Sequence, residues 1–430
     1  MKRGLIALLL AAAFLLCSGG ALAASGEERS FVDVKLNGFE LALPHSAWVE
    51  DGVTMVPVEE FCRAAFGGAR AAMDDGTSIP GTVLCRWAED GSNRLTLTKL
   101  EEDAGQEKTL TLELDSNVLR TSKSGQSQTQ MARPMVWEDG AVYAPLRPLA
   151  EELGLQVSWS GGAACLEREK KSVKVQSLEE FLNAIGDHMD ITLAPGTYDF
   201  GTLNVDAVHN PQVLIDYEVF NTETGSWYDG DRWQAVIREV QDLTIHASGV
   251  TFSTPWAYAD VLRFQNCQRV CLTGITAVHD VEPGYCTGNC LELVDCDGFR
   301  AEDCVLDGSG AYGLCAVDSR DVGIQGGEIA NCTYGAVNLS GCEQVSLSDC
   351  RIHDCADCFN LLEAANCTDV RVGNCSLERN SAAALAETSE SAGVCFDRCS
   401  FQKNQFEKKN DYGWQGSGGA AFLNCHWENT

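Results

Sequence analysis

The feature that most constrains this chain is a slot pattern that recurs from Leu243 to the last residues. With Val345 as slot zero, Leu347 stands at plus two, Cys350 at plus five and Ile352 at plus seven. Val370, Val372, Cys375 and Leu377 fill these slots one unit later; Phe299, Ala301, Cys304 and Leu306 fill them two units earlier. Val394, Phe396, Cys399, Phe401 and then Ala420, Phe422, Cys425, Trp427 continue the series. Val322, Ile324, Gly327, Ile329 and Val270, Leu272, Ile275, Ala277 keep it with small replacements, and Leu243, Ile245, Ser248, Val250 open it. The unit runs from 23 residues (Val322 to Val345) to 29 (Val270 to Phe299). Such self-similarity predicts a solenoid, in which each unit buries its apolar face only against its neighbours.

The spacing selects the kind of solenoid. Slots zero and two share one face of a strand, because side chains alternate with period two. The odd step from two to five demands a corner, and the residues there are Thr273-Gly274, Glu302-Asp303, Gln325-Gly326, Ser348-Asp349, Gly373-Asn374 and Asp397-Arg398. Gly, Asn and Asp tolerate the left-handed backbone such corners need. A third apolar run closes most units: Gly313 to Val317, Gly335 to Leu339, Phe359 to Leu362, Ala383 to Ala386. Three short strands per unit predict a mainly β chain, a parallel β-helix. No unit carries the leucine-asparagine signature of a leucine-rich repeat.

The chain starts as a secretory signal peptide over residues 1–23: Lys2 and Arg3, an apolar stretch from Leu5 to Leu16, then Ala21-Leu22-Ala23 as the cleavage site. Cys17 follows Leu15 and Leu16, which are too bulky for a lipobox. The expectation is a secreted or cell-surface bacterial protein with no membrane span after cleavage. A net charge of −31 argues against nucleic acid and anionic membranes. Neutral sugars, cationic partners, or anionic sugars bridged by calcium remain open.

Of 21 cysteines, 17 lie beyond residue 171. Export suggests a disulfide framework, but the slots suggest otherwise. Cys304, Cys350, Cys375, Cys399 and Cys425 share the inward plus-five slot, and Cys267, Cys296, Cys342 and Cys367 share a column at minus three. Stacked strands would bring neighbours close, yet with parallel Cβ vectors and a poor disulfide torsion. The expectation is a ladder of small buried apolar side chains. Cys355 and Cys358 have the gap of a zinc knuckle, but no second pair completes it, so no metal ligands are assigned.

Residues 31–167 have a different texture, with a duplicated segment. Trp48 to Pro57 ("WVEDGVTMVP") returns as Val136 to Pro145 ("VWEDGAVYAP"), each followed by a helix-like stretch. This resembles the stalk-like copper amine oxidase N-terminal domain, best over Ala132 to Trp159, while the first copy departs with Val58-Glu59 after Pro57. That domain is not the oxidase's catalytic part, so the resemblance implies a surface module without amine oxidase activity. After a charged joint at Glu167–Lys171, Ser177-Leu-Glu-Glu180 forms a capping box opening a helix over 177–187. The strand "ITLAPGTY" follows, and this entry resembles pectin-lyase-like right-handed β-helix proteins, in which the helix covers the open end of the coil. The second domain is thus expected over 172–430. The β-helix family hosts lyases, hydrolases, epimerases and adhesins, so the resemblance implies fold and leaves activity open.

One polar column could carry chemistry. Past slot seven come His279-Asp280, Asp307, Asn331, His353-Asp354 and Glu378-Arg379. Stacked in consecutive coils, Asp280, Asp307 and Asp354 would fall roughly 5 to 10 Å apart, the range of glycosidase carboxylates. His279 and His353 would assist proton transfer. The competing reading is that Asp, Asn and His favour a corner there. Trp227, Tyr228 and Trp233 form a candidate sugar-stacking platform, or pack back on the coil. The insertion Val281 to Cys290 is a candidate groove wall.

The chain is therefore expected to bind or process a polysaccharide or cell-wall glycan, as a hydrolase, lyase or epimerase, or else to serve as a non-catalytic adhesin on a stalk. No cofactor is assigned, calcium being the one open candidate. A uronate lyase is disfavoured, since the coil has few bases and acids there outnumber them more than two to one. The last coil, Ala420 to Trp427, lacks a visible cap, so self-association through that end is expected unless the segment from Phe406 to Gly419 folds over it.

Overall fold

A computed structural model describes residues 29–67, 82–100, 107–122, 126–217, 219–221, 226–228, 233–281, 287–308, 310–407 and 419–429. The signal peptide, the middle of the 281–290 insertion and most of the fold-back segment lie outside these residues.

The repeat folds as three faces of a parallel coil. Strands at slots zero to two pair in register along the first face: Val270, Phe299, Val322, Val345 and Val370 align. The slot-seven strands form the second, with Ala277, Leu306, Ile329, Ile352, Leu377, Phe401 and Trp427 aligned. A nine-stranded sheet forms the third, from Val213–Asp216 to Gln405–Phe406. Slots zero, two, five and seven point inward and are buried through the middle coils. The corners are left-handed, as the small polar residues there predict. Slot plus four reads Gly274, Asp303, Gly326, Asp349, Asn374, Arg398 and Asn424, all at positive φ. Three further columns, at minus four, minus one and plus nine, are left-handed as well.

The opening coil departs from the expected slots. Val250 pairs with Ile275 and Phe252 with Ala277, across a register shift after His246. Val250 and Phe252 are the inward residues, while Ser248 and Gly249 are exposed on an enlarged corner. An inward serine would have buried an unsatisfied hydroxyl; two extra residues avoid it. The cap helix spans Leu178–Ala184, shorter than expected, with Ser177 Oγ accepting from Glu180 N–H at 3.2 Å. Phe181 packs on Phe252 at 5.3 Å between ring centroids, closing the apolar end of the coil. At the other end Trp427, 36% exposed, stacks on Phe401 at 3.9 Å.

In the N-terminal domain the duplicated segment makes two hairpins. Ala47–Glu50 pairs with Val53–Pro57, and Val136–Glu138 with Ala141–Pro145. Their turns, Asp51-Gly52 and Asp139-Gly140, have positive φ at both positions, the two-residue hairpin geometry. The inner strands pair antiparallel with Val56 opposite Ala144, so a local twofold relates the copies. Each hairpin runs into a helix, α1 (Val58–Phe66) and α2 (Leu146–Glu152), whose inner faces join one core.

The domain is fastened to the coil by a buried charge. Asp242, fully buried, accepts from Arg269 Nε at 2.8 Å, Arg168 Nη1 at 3.1 Å and Asn37 Nδ2 at 2.9 Å, with His188 Nδ1 at 3.1 Å. Burial opposes its charge, but Arg269, His188 and Arg168 outweigh that and hold the carboxyl well below its usual range. Both guanidiniums also donate to the last turn of α1, Arg168 to Ala65 O and Arg269 to Ala64 O, where a helix end favours cations.

Candidate functional site

The expected catalytic column does not assemble. Pairing sets Asp307 against Ala330, then His353, then Glu378, at slot plus eight. Gly308, Asn331, Asp354 and Arg379 follow at plus nine, all at positive φ, while Asp280 lies one slot further along in its own coil. Asp280, Asp307 and Asp354 thus occupy three different slots and do not stack. Period-two geometry turns a one-slot offset into opposite directions.

His279, Asp307, His353 and Asp354 are each held by a neighbouring group. Asp354 takes Arg379 Nε at 2.7 Å and contacts His353 Nδ1 at 2.6 Å; the Arg379 hydrogen bond above all holds its carboxyl well below the usual range. His353 Nε2 faces Glu328 at 3.3 Å. Asn331 donates to Asp307, the plus-nine side chain bonding back one coil. These contacts match the corner reading. His279 is 3% exposed, and its Nε2–H donates to Ala259 O at 2.8 Å. Burial lowers its pKa, so it is a neutral core histidine rather than a partner of Asp280.

The aromatic platform is also corrected at Trp233, which is 8% exposed and packs edge-on against Phe200 at 6.2 Å. A large ring beside the cap gains more from joining the core than from facing water. Trp227 and Tyr228 lie in the short strand Ser226–Tyr228, paired with Val219–Asn221.

The outer surface of the third face holds a group that the sequence reading missed. Leu262, Leu291, Leu314 and Val337 point inward, so their neighbours Arg263, Glu292, Cys315, Asn338 and Glu363 form an outward column. Asp260 joins its head. Its Oδ1 accepts from Asn289 N at 2.8 Å and Asn289 Nδ2 at 3.0 Å. Arg263 Nη1 stands 2.9 Å from Glu292 Oε2 and 3.6 Å from Asp260 Oδ2. Asn289 belongs to the described end of the insertion, whose Thr287 N–H donates to Ala257 O at 2.7 Å. Two loops therefore wall in the pair. Burial, and then the neighbouring Asp260 charge, push the Glu292 carboxyl up to about 9. One guanidinium between two carboxylates balances one charge, and a retained proton balances the other.

Beside this pair runs an aromatic ladder. Tyr312 packs on Tyr334 at 6.4 Å and Tyr334 on Phe359 at 5.7 Å, both edge-on, and Phe359 is 64% exposed. Tyr312 Oη donates to Glu363 Oε2 at 3.2 Å, and Asn360 Nδ2 donates to Glu363 Oε1 at 2.8 Å. Gly335 is required here, because a Cβ would lie 2.8 Å from the Tyr312 ring and 2.5 Å from Asn360 O. The alternation Leu262-Arg-Phe264 and Leu291-Glu-Leu293 could have revealed the column, had the third run been extended two coils back from Gly313. Among the described residues no three His, Cys, Asp or Glu side chains form a group able to hold a metal ion.

A family model described as "Right handed beta helix region" matches residues 270–428. The fold is a right-handed parallel β-helix behind a small α+β domain, in agreement with that match. No curated protein matches the chain. Among solved structures, a pectate lyase from Paenibacillus sp. 0602 overlaps at 9% identity, covering 60% of this chain and 77% of its own, with a TM-score of 0.42. A putative glycosyl hydrolase from Parabacteroides merdae shares 11% identity, covering 40% and 79%, at 0.26. The enzymatically active domain of a tailspike from Bacteriophage CBA120 shares 9%, covering 77% and 53%, at 0.26. The chemistry of the site therefore rests on this chain's own residues.

Proposed function

We propose that this is an exported protein that processes a neutral glycan on the outer surface of the third face. The observation that carries the reading is the buried Asp260–Glu292 pair at the head of the exposed aromatic ladder. Tyr334 and Phe359 offer faces and edges on which sugar rings stack. Glu292 retains its proton near neutrality and acts as general acid, passing that proton to the departing glycosidic oxygen. Its new charge is then met by Arg263. Water adds at the anomeric carbon as the C–O bond breaks and the proton it releases recharges Glu292, so the pair supplies the acid half of a hydrolysis.

The test incubates the full chain with a panel of neutral and acidic glycans, with and without calcium. Product from a neutral glycan is expected, and Glu292→Gln should abolish it while retaining binding. Turnover unchanged in Glu292→Gln removes the site. Binding without turnover would favour the adhesin reading, which the salt-bridged corner column supports by offering no unengaged acid among His353, Asp354 and Glu378.

A further inference from the structure

The N-terminal domain carries a cleft of about 500 Å³, remote in sequence from the third face. Its walls include Thr129 and Gln130, Arg147 and Glu151 of α2, and Val157 to Trp159. Two of these walls are sheet edges: Gln126–Gln130 ends one of the domain's two five-stranded sheets, and Leu155–Ser160 ends its four-stranded sheet. Trp159 is 51% exposed there, although an indole gains strongly from burial.

We propose that this cleft is a binding site for a neutral polysaccharide segment, with Trp159 as the stacking platform. A half-exposed indole set among an amide, a guanidinium, a carboxylate and hydroxyls is the mixture that sugars use: ring C–H groups on the aromatic face and hydroxyls bridged by planar polar groups. Arg147 and Glu151 offset each other's charge, their side chains 3.3 Å apart, which suits an uncharged ligand. Open sheet edges also invite an extended peptide to add a strand. Arg147 argues against that, because its Nη1 donates to Val157 O at 3.0 Å and occupies an acceptor the added strand would need. The volume falls within the range of small-molecule and oligosaccharide pockets. The site stands apart from the catalytic reading, since either could exist without the other.

Affinity electrophoresis of the full chain in gels containing soluble neutral polysaccharides tests it, alongside fluorescence titration with a proline-free peptide of extended sequence. At least one glycan should retard the chain, with Trp159→Ala weakening binding tenfold or more and Trp159→Phe restoring most of it. Far-ultraviolet circular dichroism checks that both variants fold. Glu292→Gln should leave this retardation intact, so loss of turnover at the third face and loss of binding here are told apart. The proposal is overturned if no glycan retards the chain, if Trp159→Ala binds as the parent does, or if the peptide binds in its place.

Discussion

The two halves of this molecule repeat themselves in different ways. The N-terminal domain repeats a hairpin once, by rotation, and the pair closes on itself with Val56 opposite Ala144. The coil repeats a rung many times, by translation, and never closes. A rotational pair gives every core residue long-range neighbours from both copies. A translational stack gives each inward residue only the rungs above and below, so stability becomes a sum of neighbour terms. The joint between them is electrostatic, and Asp242 carries it.

If that contrast is correct, the joint should be the most sensitive point. Asp242→Ala leaves Arg168, Arg269 and His188 buried around an empty position and should cost about 3–5 kcal/mol. Calorimetry should then resolve separate transitions for domain and coil; one unchanged transition would break the comparison. The Asp242 carboxyl is held below its unfolded pKa, so its contribution is present above about pH 4 and is lost as pH falls towards the folded value. Next come matched cavities. Phe61→Ala in the domain and Phe401→Ala in the coil should each cost about 3–5 kcal/mol. Hydrogen exchange should rise throughout the domain for the first, but only in the rungs flanking Phe401 for the second.

Smaller effects sharpen the contrast within the coil. Glu292 has a raised folded pKa, so its stabilising share is full below about 4.5 and is lost as pH climbs towards 9. Glu292→Gln should therefore gain melting temperature relative to the parent progressively across that window, and a constant difference would contradict the retained proton. Smallest of all, Asp354→Asn should cost within about 1 kcal/mol, because Asn adopts the left-handed corner as readily as Asp. A large loss in chemical denaturation would mean that the Arg379 contact matters more than the corner.

Much of the coil was legible because its physics is local. Val345, Leu347, Cys350 and Ile352 must face inward wherever the rung lies, and Asp303, Asn374 and Gly326 announce a left-handed backbone by their chemistry. The opening rung was misaligned because Ser248 and Val250 happened to satisfy the spacing that Val250 and Phe252 satisfy in space. The candidate site was less legible. Sequence distance suggested that Asp307 and Asp354 stack, but pairing register decides direction, and one slot separates a facing pair from a corner. Asp260 and Glu292 come from successive coils, and Arg263 reaches both. Their partnership exists only after the loops around Ala257 and Thr287 have folded together.

All nineteen described cysteines are unbridged, and fourteen of them are buried. While the coil holds, Cys342 beside Cys367 and Cys350 beside Cys375 are sealed from oxidant, each backbone N–H of one contacting the sulfur of the next. Once the coil opens, those thiols become a dense run of exchangeable groups with no single partner preferred by spacing. Scrambled bridges formed in that state trap the opened chain, and return to the native coil depends on reductant being present. In air the protein should behave as a one-way material, durable while folded and not recoverable afterwards, so its working lifetime is set by how slowly it opens rather than by how stable it is at equilibrium.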